Sequence, residues 1–344
     1  KPATTLSCTS IALKVLNWII VLGDIEVLPL HTLQNWSDTL WALGKMADRR
    51  VALGERSCVD VIMGAGAASM ETQLSRSDPG HISKSLWGMA KTGFQPDDNI
   101  TKKLAAAVAE RYSEALPQSL SNTLWAMAKL NSNPDAGTVS KLATAVAERS
   151  SDAAPQALSN TLWAVAKLDS NPGANTVSQL ATTLAEHSNT DPQALSNTLW
   201  ALATLGCNPG ASTVNDLATA VAKRSRHADP QALSNTLWAL SQPKLHWYDA
   251  HQIPVLVAAL AQHTRSPAAT AQNFSNALQA LGAPKGSLRW YNADLYSQLV
   301  EGVVLKISSS APEALGQHFS NTMFSCALSC HFDSSVDALA EWGS

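Results

Sequence analysis

Apolar residues recur along this chain at steps of three and four, and the recurrence itself recurs. In residues 117–130, Leu120, Leu124 and Met127 share one helical face, flanked by Trp125, Ala128 and Leu130, with Gln118, Asn122 and Lys129 opposite. This spacing predicts an amphipathic helix and excludes a strand, whose period is two. The polar run Asn131-Ser132-Asn133-Pro134 ends the helix, because proline has no amide hydrogen and biases the residue before it away from helix. A second helix follows from Thr138 to Arg149, with Val139, Leu142 and Val146 turned inward and Lys141, Glu148 and Arg149 turned to water. The pattern predicts a helix hairpin.

The hairpin is repeated. Trp41, Trp87, Trp125, Trp163, Trp200 and Trp238 each follow Ser-Asn-Thr-Leu or a relative of it. Two weaker copies place Gln279 and Phe324 where the tryptophan stands. The central period is about 38 residues, in the range that marks a solenoid or a propeller, and the helical pattern excludes the propeller. Neither helix covers its apolar stripe alone, so stacked hairpins supply the continuous core. The expected fold is all-α, an α-solenoid: a superhelix of stacked antiparallel helix hairpins. About seven to eight hairpins span residues 32–330 and are most regular over 79–242. Residues 1–31 read as the remnant of a preceding repeat and 331–344 as the start of a truncated further helix. The chain opens at Lys1 and closes part-way into a repeat, and is read as a processed or excised piece.

Helix starts are marked by Asp78-Pro79, Asp191-Pro192 and Asp229-Pro230, with Ala154-Pro155 a variant. A short polar cap followed by proline suits the first helical turn. In the longer second half over 48–77, Gly64-Ala65-Gly66-Ala67-Ala68 reads as a flexible run. Alanine and serine let helices approach closely, and the single large tryptophan of each unit fills the gap between layers. Trp41, Trp87, Trp125, Trp163, Trp200 and Trp238 are therefore expected to be structural repeat anchors, with stacking on a base as the alternative. The Trp247-Tyr248 and Trp290-Tyr291 pairs read as hairpin-turn packing, or otherwise as exposed stacking groups.

Residues 11–22 are strongly apolar but interrupted by Lys14 and Asn17, and too short for a bilayer, which needs about 20 residues. They read as a buried second helix, and no membrane partner is expected. The net charge of −3 removes the simplest argument for a nucleic-acid partner, a strongly basic domain, so such a site would have to be a local stripe. Five scattered cysteines fit free thiols better than a disulfide frame.

Candidate chemistry is sparse. Cys326, Cys330 and His331, with His318 upstream, match no structural zinc pattern, and His246 and His251 flank Asp249 without a hydrolase motif. No glycine-rich phosphate loop or nucleophile elbow is present. No catalytic residue, metal, cofactor or small-molecule substrate is expected, and the chain is not read as an enzyme.

The polar stripe of the first helices is the remaining candidate. It comprises Gln118, Asn122 and Lys129, then Gln156, Asn160 and Lys167, then Gln193, Asn197 and Thr204, then Gln231, Asn235 and Gln242, with Lys84 and Lys91 at its N-terminal edge. Amides donate and accept hydrogen bonds, which suits base edges, and helical repeats can read one base each with two or three side chains. Alternatively the asparagines bond one another or the next repeat and fix the stacking.

The period, the paired helices and the phrase Pro192-Gln-Ala-Leu-Ser-Asn-Thr-Leu-Trp-Ala-Leu-Ala-Thr-Leu-Gly206 resemble the octotricopeptide repeat family, known mainly from green algae. The resemblance covers roughly residues 32–330. It implies a non-catalytic protein of the chloroplast or mitochondrion that binds single-stranded RNA and serves transcript stabilisation, processing, translation or ribosomal RNA binding. It further implies that the first helices line the RNA-facing concave wall. The rival reading is a protein-binding scaffold of HEAT or armadillo type, which uses the same kind of surface for peptides.

Overall fold

A computed structural model of the chain describes residues 33–49, 56–245, 247, 250–282, 288, 290–307 and 322. Residues 1–31 and 331–344, the copy at Phe324, and Cys326, Cys330, His318, His331, His246, Tyr248 and Asp249 lie outside them.

The described residues are helical, with no strand among them. The helices fall into two compact units divided after Pro172. Unit 1 contains α1 (Leu33–Asp48), α2 (Arg56–Thr72), α3 (Pro79–Thr92), α4 (Asp98–Glu110), α5 (Pro117–Lys129), α6 (Ala136–Glu148) and α7 (Pro155–Lys167). Unit 2 contains α8 (Ala174–Glu186), α9 (Pro192–Leu205), α10 (Ala211–Lys223), α11 (Pro230–Leu240), α12 (Ile253–Ala261), α13 (Ala271–Gly282) and α14 (Ala293–Ile307). In unit 1 the first helices α1, α3, α5 and α7 pack in succession, and α2, α4 and α6 form the second layer. Unit 2 repeats the scheme, with α9, α11 and α13 in one layer and α8, α10 and α12 in the other. This is the α-solenoid arrangement: each hairpin buries its apolar stripe against its neighbours.

The first helices begin and end as local chemistry dictates. Asp78, Asp191 and Asp229 cap their helices by accepting from Gly80 N, Gln193 N and Ala232 N, while Leu116 and Ala154 make no side-chain cap. Proline follows at the first helical position in each case. Past the other end, Gly93, Asn131, Asp169 and Gly206 all adopt positive φ, between 49° and 70°. A left-handed residue stops the helix there, three residues before the proline of the linker.

Between the layers, Leu120, Leu124, Met127, Val139, Leu142 and Val146 are all buried. Each such side chain contributes about 1.5–3 kcal/mol by leaving water.

Two expectations are corrected. Gly64-Ala65-Gly66-Ala67-Ala68 is not a flexible run but lies inside α2. Gly66 serves contact there, since a Cβ at that position would stand 2.9 Å from Leu40 Cδ1 and 3.1 Å from Trp36 Cε3. Arg149 does not turn to water: its guanidinium donates to Ala115 O at 2.7 Å and Tyr112 O at 3.0 Å. Arg111 likewise donates to Ser77 O at 2.6 Å, and Arg224 to Ser188 O. An arginine closing a second helix thus satisfies carbonyls in the linker of the preceding repeat.

Candidate functional site

The Ser-Asn-Thr-Leu-Trp phrase divides its labour. Its serines and threonines are fully buried; its asparagines are half-buried on the surface. Ser83 donates to Ser119 O at 2.7 Å across the α3–α5 contact, and Ser121 to Ala157 O at 2.8 Å across α5–α7. Thr123 and Thr161, inside the receiving helices, donate to the same two carbonyls at 2.9 and 2.8 Å. In unit 2, Ser196 and Ser234 turn instead to Gln193 O and Gln231 O of their own helices. At the α3–α5 and α5–α7 contacts, therefore, a serine joins one repeat to the next, whereas Ser37 of α1 donates to Gln34 O of its own helix.

The asparagines pair within their own helix. Gln118 Nε2 donates to Asn122 Oδ1 at 2.8 Å, Gln156 to Asn160 at 2.8 Å, and Gln193 to Asn197 at 3.0 Å. Four residues apart on a helix is neighbour spacing, so the couple forms without tertiary help. Gln118 and Gln156 are exposed. In α11, Gln231 is exposed and Asn235 half-buried, while Gln242 donates to Trp238 O at 3.1 Å and Ser241 Oγ at 3.2 Å. Thr204 is exposed.

Beside the amides in unit 1 runs a ladder of lysines and tryptophans. Lys45 Nζ lies 5.4 Å from the Trp41 ring centre and 4.9 Å from that of Trp87. Lys91 lies 5.4 Å from Trp87 and 4.9 Å from Trp125, and Lys129 lies 5.8 Å from Trp125 and 5.0 Å from Trp163. Each cation thus sits over its own tryptophan and that of the next repeat, within cation–π range. Trp87 and Trp125 are themselves 6.4 Å apart and tilted by 32°. Trp41 is 40 % exposed, Trp87 is buried, and Trp125, Trp163, Trp200 and Trp238 are intermediate. In unit 1 the rings of Trp87, Trp125 and Trp163 occupy the seam between successive first helices, and those of Trp125 and Trp163 are half-buried.

The lysines differ in their partners. Lys84 pairs with Asp38 at 3.2 Å and Lys91 with Asp48 at 2.5 Å, so both tie α3 to α1. The Lys91 hydrogen bond holds the Asp48 carboxyl below its ordinary value. Among the described residues neither Lys129 nor Lys167 has an ion-pair partner, and both are exposed. Partial burial of its side chain, and then the like charges of Lys91 and Lys167, push the Lys129 ammonium below the ordinary lysine value. In unit 2 the corresponding positions are neutral, Thr204 and Gln242. The structure therefore places the predicted stripe residues on the first helices, except Gln242, which lies just past the end of α11. Among the described residues, Lys45, Lys129 and Lys167 of the unit 1 ladder positions have no ion-pair partner.

Sequence reading passed over the serine bond and the lysine–tryptophan ladder. Ser121 lies three residues before Leu124 and four before Trp125, on the apolar side of the wheel, and that position was the available signal. The ladder could be read from lysine four residues after tryptophan at Lys45, Lys91, Lys129 and Lys167.

Among the described residues no three His, Cys, Asp or Glu side chains gather as metal ligands, and no helix is long and apolar enough to cross a membrane. A cleft of about 380 Å³ between the linkers after α5 and α7 has a single ionisable group in its lining, Asp169.

Residues 57–180 match the family model described as the Tbc2 translation factor, N-terminal domain. The match covers α3, α5 and α7, with Trp87, Lys91, Trp125, Lys129 and Trp163 of the ladder, and leaves out α1. No curated protein matches the chain.

Proposed function

We propose that this protein binds single-stranded RNA, without catalysis, along the face formed by its first helices. The observation that carries the reading is the ladder: lysine ammonium groups within about 6 Å of the indole rings of successive repeats, ending at the exposed Lys129 and Lys167, which lack an acidic partner among the described residues. Ammonium groups crowded enough to oppose one another's charge are stabilised by an anion that comes between them, and a phosphodiester is such an anion. Aromatic rings and amides next to them supply stacking and hydrogen bonds to bases.

The likeness of residues 57–180 to a translation-factor domain, and the resemblance to octotricopeptide repeats, support a role in translation, processing or stabilisation of organellar transcripts, or on ribosomal RNA, in the chloroplast or mitochondrion. The arginines at second-helix ends are not part of this surface, because backbone carbonyls already occupy them.

The test is fluorescence anisotropy of labelled oligoribonucleotides of about 12 nucleotides at two salt concentrations, with wild type and Lys129→Ala/Lys167→Ala. Salt-sensitive binding that weakens about tenfold or more in the variant is expected. Absence of binding by folded protein at micromolar concentration would overturn the reading in favour of a protein-binding scaffold.

A further inference from the structure

The amide couples go further than the ladder, because they constrain which base each repeat accepts. In α5, α7 and α9 the same glutamine donates to the same asparagine, four residues on, at 2.8, 2.8 and 3.0 Å. The bond consumes one donor hydrogen and one lone pair. What stays wholly unengaged on each couple is the amino group of Asn122, Asn160 or Asn197 and the carbonyl of Gln118, Gln156 or Gln193, while the two bonded groups keep one hydrogen and one lone pair between them. If either amide were turned over in concert with its partner, the couple would still offer one amino group and one carbonyl. The pattern is fixed by the residues and not by the choice of rotamer.

Fixing also matters. A glutamine and an asparagine held by one another lose less freedom on meeting a ligand than two free side chains would. Each couple stands one helical turn or less from a tryptophan: Asn122 precedes Trp125 by three residues and Asn160 precedes Trp163 by three. A base held at the edge of such a ring, beside its lysines, would have the amides of the same helix within one turn.

Resting on the RNA reading above, we infer that these couples favour adenine, so that the preferred ligand is an adenine-rich single-stranded tract. The Watson–Crick edge of adenine carries one donor, the N6 amino group, and one acceptor, N1. The wholly unengaged carbonyl and amino group of a couple match that edge group for group. The same edges of uracil, cytosine and guanine each carry three groups, of which one would be left without a partner where the couple covers it, and an unmatched polar group is what discriminates most strongly. Because the couples are alike from repeat to repeat, they ask for the same base each time. A mixed sequence would match them only in part.

The experiment compares labelled oligomers of A, U and C and one of mixed sequence, each about 12 nucleotides long, on the full chain by anisotropy. The expected result is A tighter than U or C by about tenfold or more, falling to about threefold or less in Asn122→Ala/Asn160→Ala/Asn197→Ala while the salt dependence stays. A second variant, Gln118→Ala/Gln156→Ala/Gln193→Ala, changes only exposed or half-buried residues and must show the same loss with unchanged helicity by circular dichroism. Equal binding of all oligomers, a preference for U or C, or an A preference that survives both variants would overturn the inference and leave RNA binding standing. No binding of any oligomer would overturn the RNA reading itself.

Discussion

Ser121 and Thr161, from consecutive repeats, donate to one and the same carbonyl oxygen, that of Ala157, each at 2.8 Å. Ser83 and Thr123 do the same at Ser119 O. The threonine bond is local to its helix, and the serine bond crosses to the neighbour. Replacing Ser121 by alanine removes the crossing bond but leaves the carbonyl satisfied by Thr161, so the cost is that of one net hydrogen bond, about 0.5–1.5 kcal/mol. Asn160→Ala touches a surface couple only and should stay within about 0.5 kcal/mol. Urea unfolding followed by circular dichroism checks both; an asparagine effect larger than the serine effect would return the stacking role to the amides.

The contact between α1 and α3 in unit 1 leaves no room for a side chain on Gly88. A Cβ there would stand 2.2 Å from Leu40 O, and one on Gly44 would stand 2.8 Å from Gly88 Cα. Backbone, not a flexible side chain, is the obstacle. Gly88→Ala is expected to destabilise by about 1–3 kcal/mol, as overpacking does, despite alanine's better helix propensity. Thermal melts set against Gly64→Ala, whose Cβ would meet nothing closer than Phe94 Cζ at 3.8 Å, give the comparison. Gly64→Ala should be neutral or mildly stabilising.

Arginine and lysine should separate by assay. Arg149→Met loses bonds to Ala115 O and Tyr112 O and leaves the Ala115 carbonyl without a donor, Tyr112 O keeping the Ala115 N–H at 3.3 Å, at about 1–3 kcal/mol of stability. Lys129→Ala/Lys167→Ala should leave stability nearly intact and lower the salt slope of RNA binding by about 1.4, the single-strand value for two phosphates. Measuring denaturant midpoints and log–log salt plots on both variants tests the division. A lowered slope for Arg149→Met without loss of stability would count against it.

The Lys129 ammonium titrates below ordinary lysine because burial and the charges of Lys91 and Lys167 disfavour its protonated form in the folded chain. In the window between the folded and unfolded values the unfolded chain holds the extra proton, so stability rises with pH there. The penalty is complete at neutral pH and fades as pH climbs through the folded value towards the ordinary one. Lys129→Met removes it, so the variant's stability relative to wild type should be greatest near neutrality and decline on the alkaline side. Carbon-13 NMR of the lysine Cε resonances should also show the Lys129 value moving back up in Lys91→Gln/Lys167→Gln.

How much of this was written in the chain differs by level. The hairpins were legible because Leu120, Leu124, Met127 and their equivalents repeat at helical spacing, and proline and aspartate mark the starts. The amide row was legible too, since a wheel places Gln118 and Asn122 together. What the wheel does not give is which side of the row the neighbouring helix occupies, so Ser121 read as filler and Asn122 as the candidate for stacking. Arg149 looked solvated because its carbonyl partners, Ala115 and Tyr112, lie in another repeat. Gly64 and Gly66 read as flexible because sequence shows a missing side chain but not the Leu40 and Trp36 atoms that use the space left by Gly66.

The arginine and serine ties within unit 1 share one property: each joins a repeat to its immediate neighbour and to nothing farther. A repeat therefore brings its own donor and presents its own acceptor at the same two places. Duplicating or deleting one whole repeat in frame would reconnect donor to acceptor at the new junction without any compensating change elsewhere. Copy number is thus a variable that heredity can change in single steps, and with it the length of ligand such an array could cover.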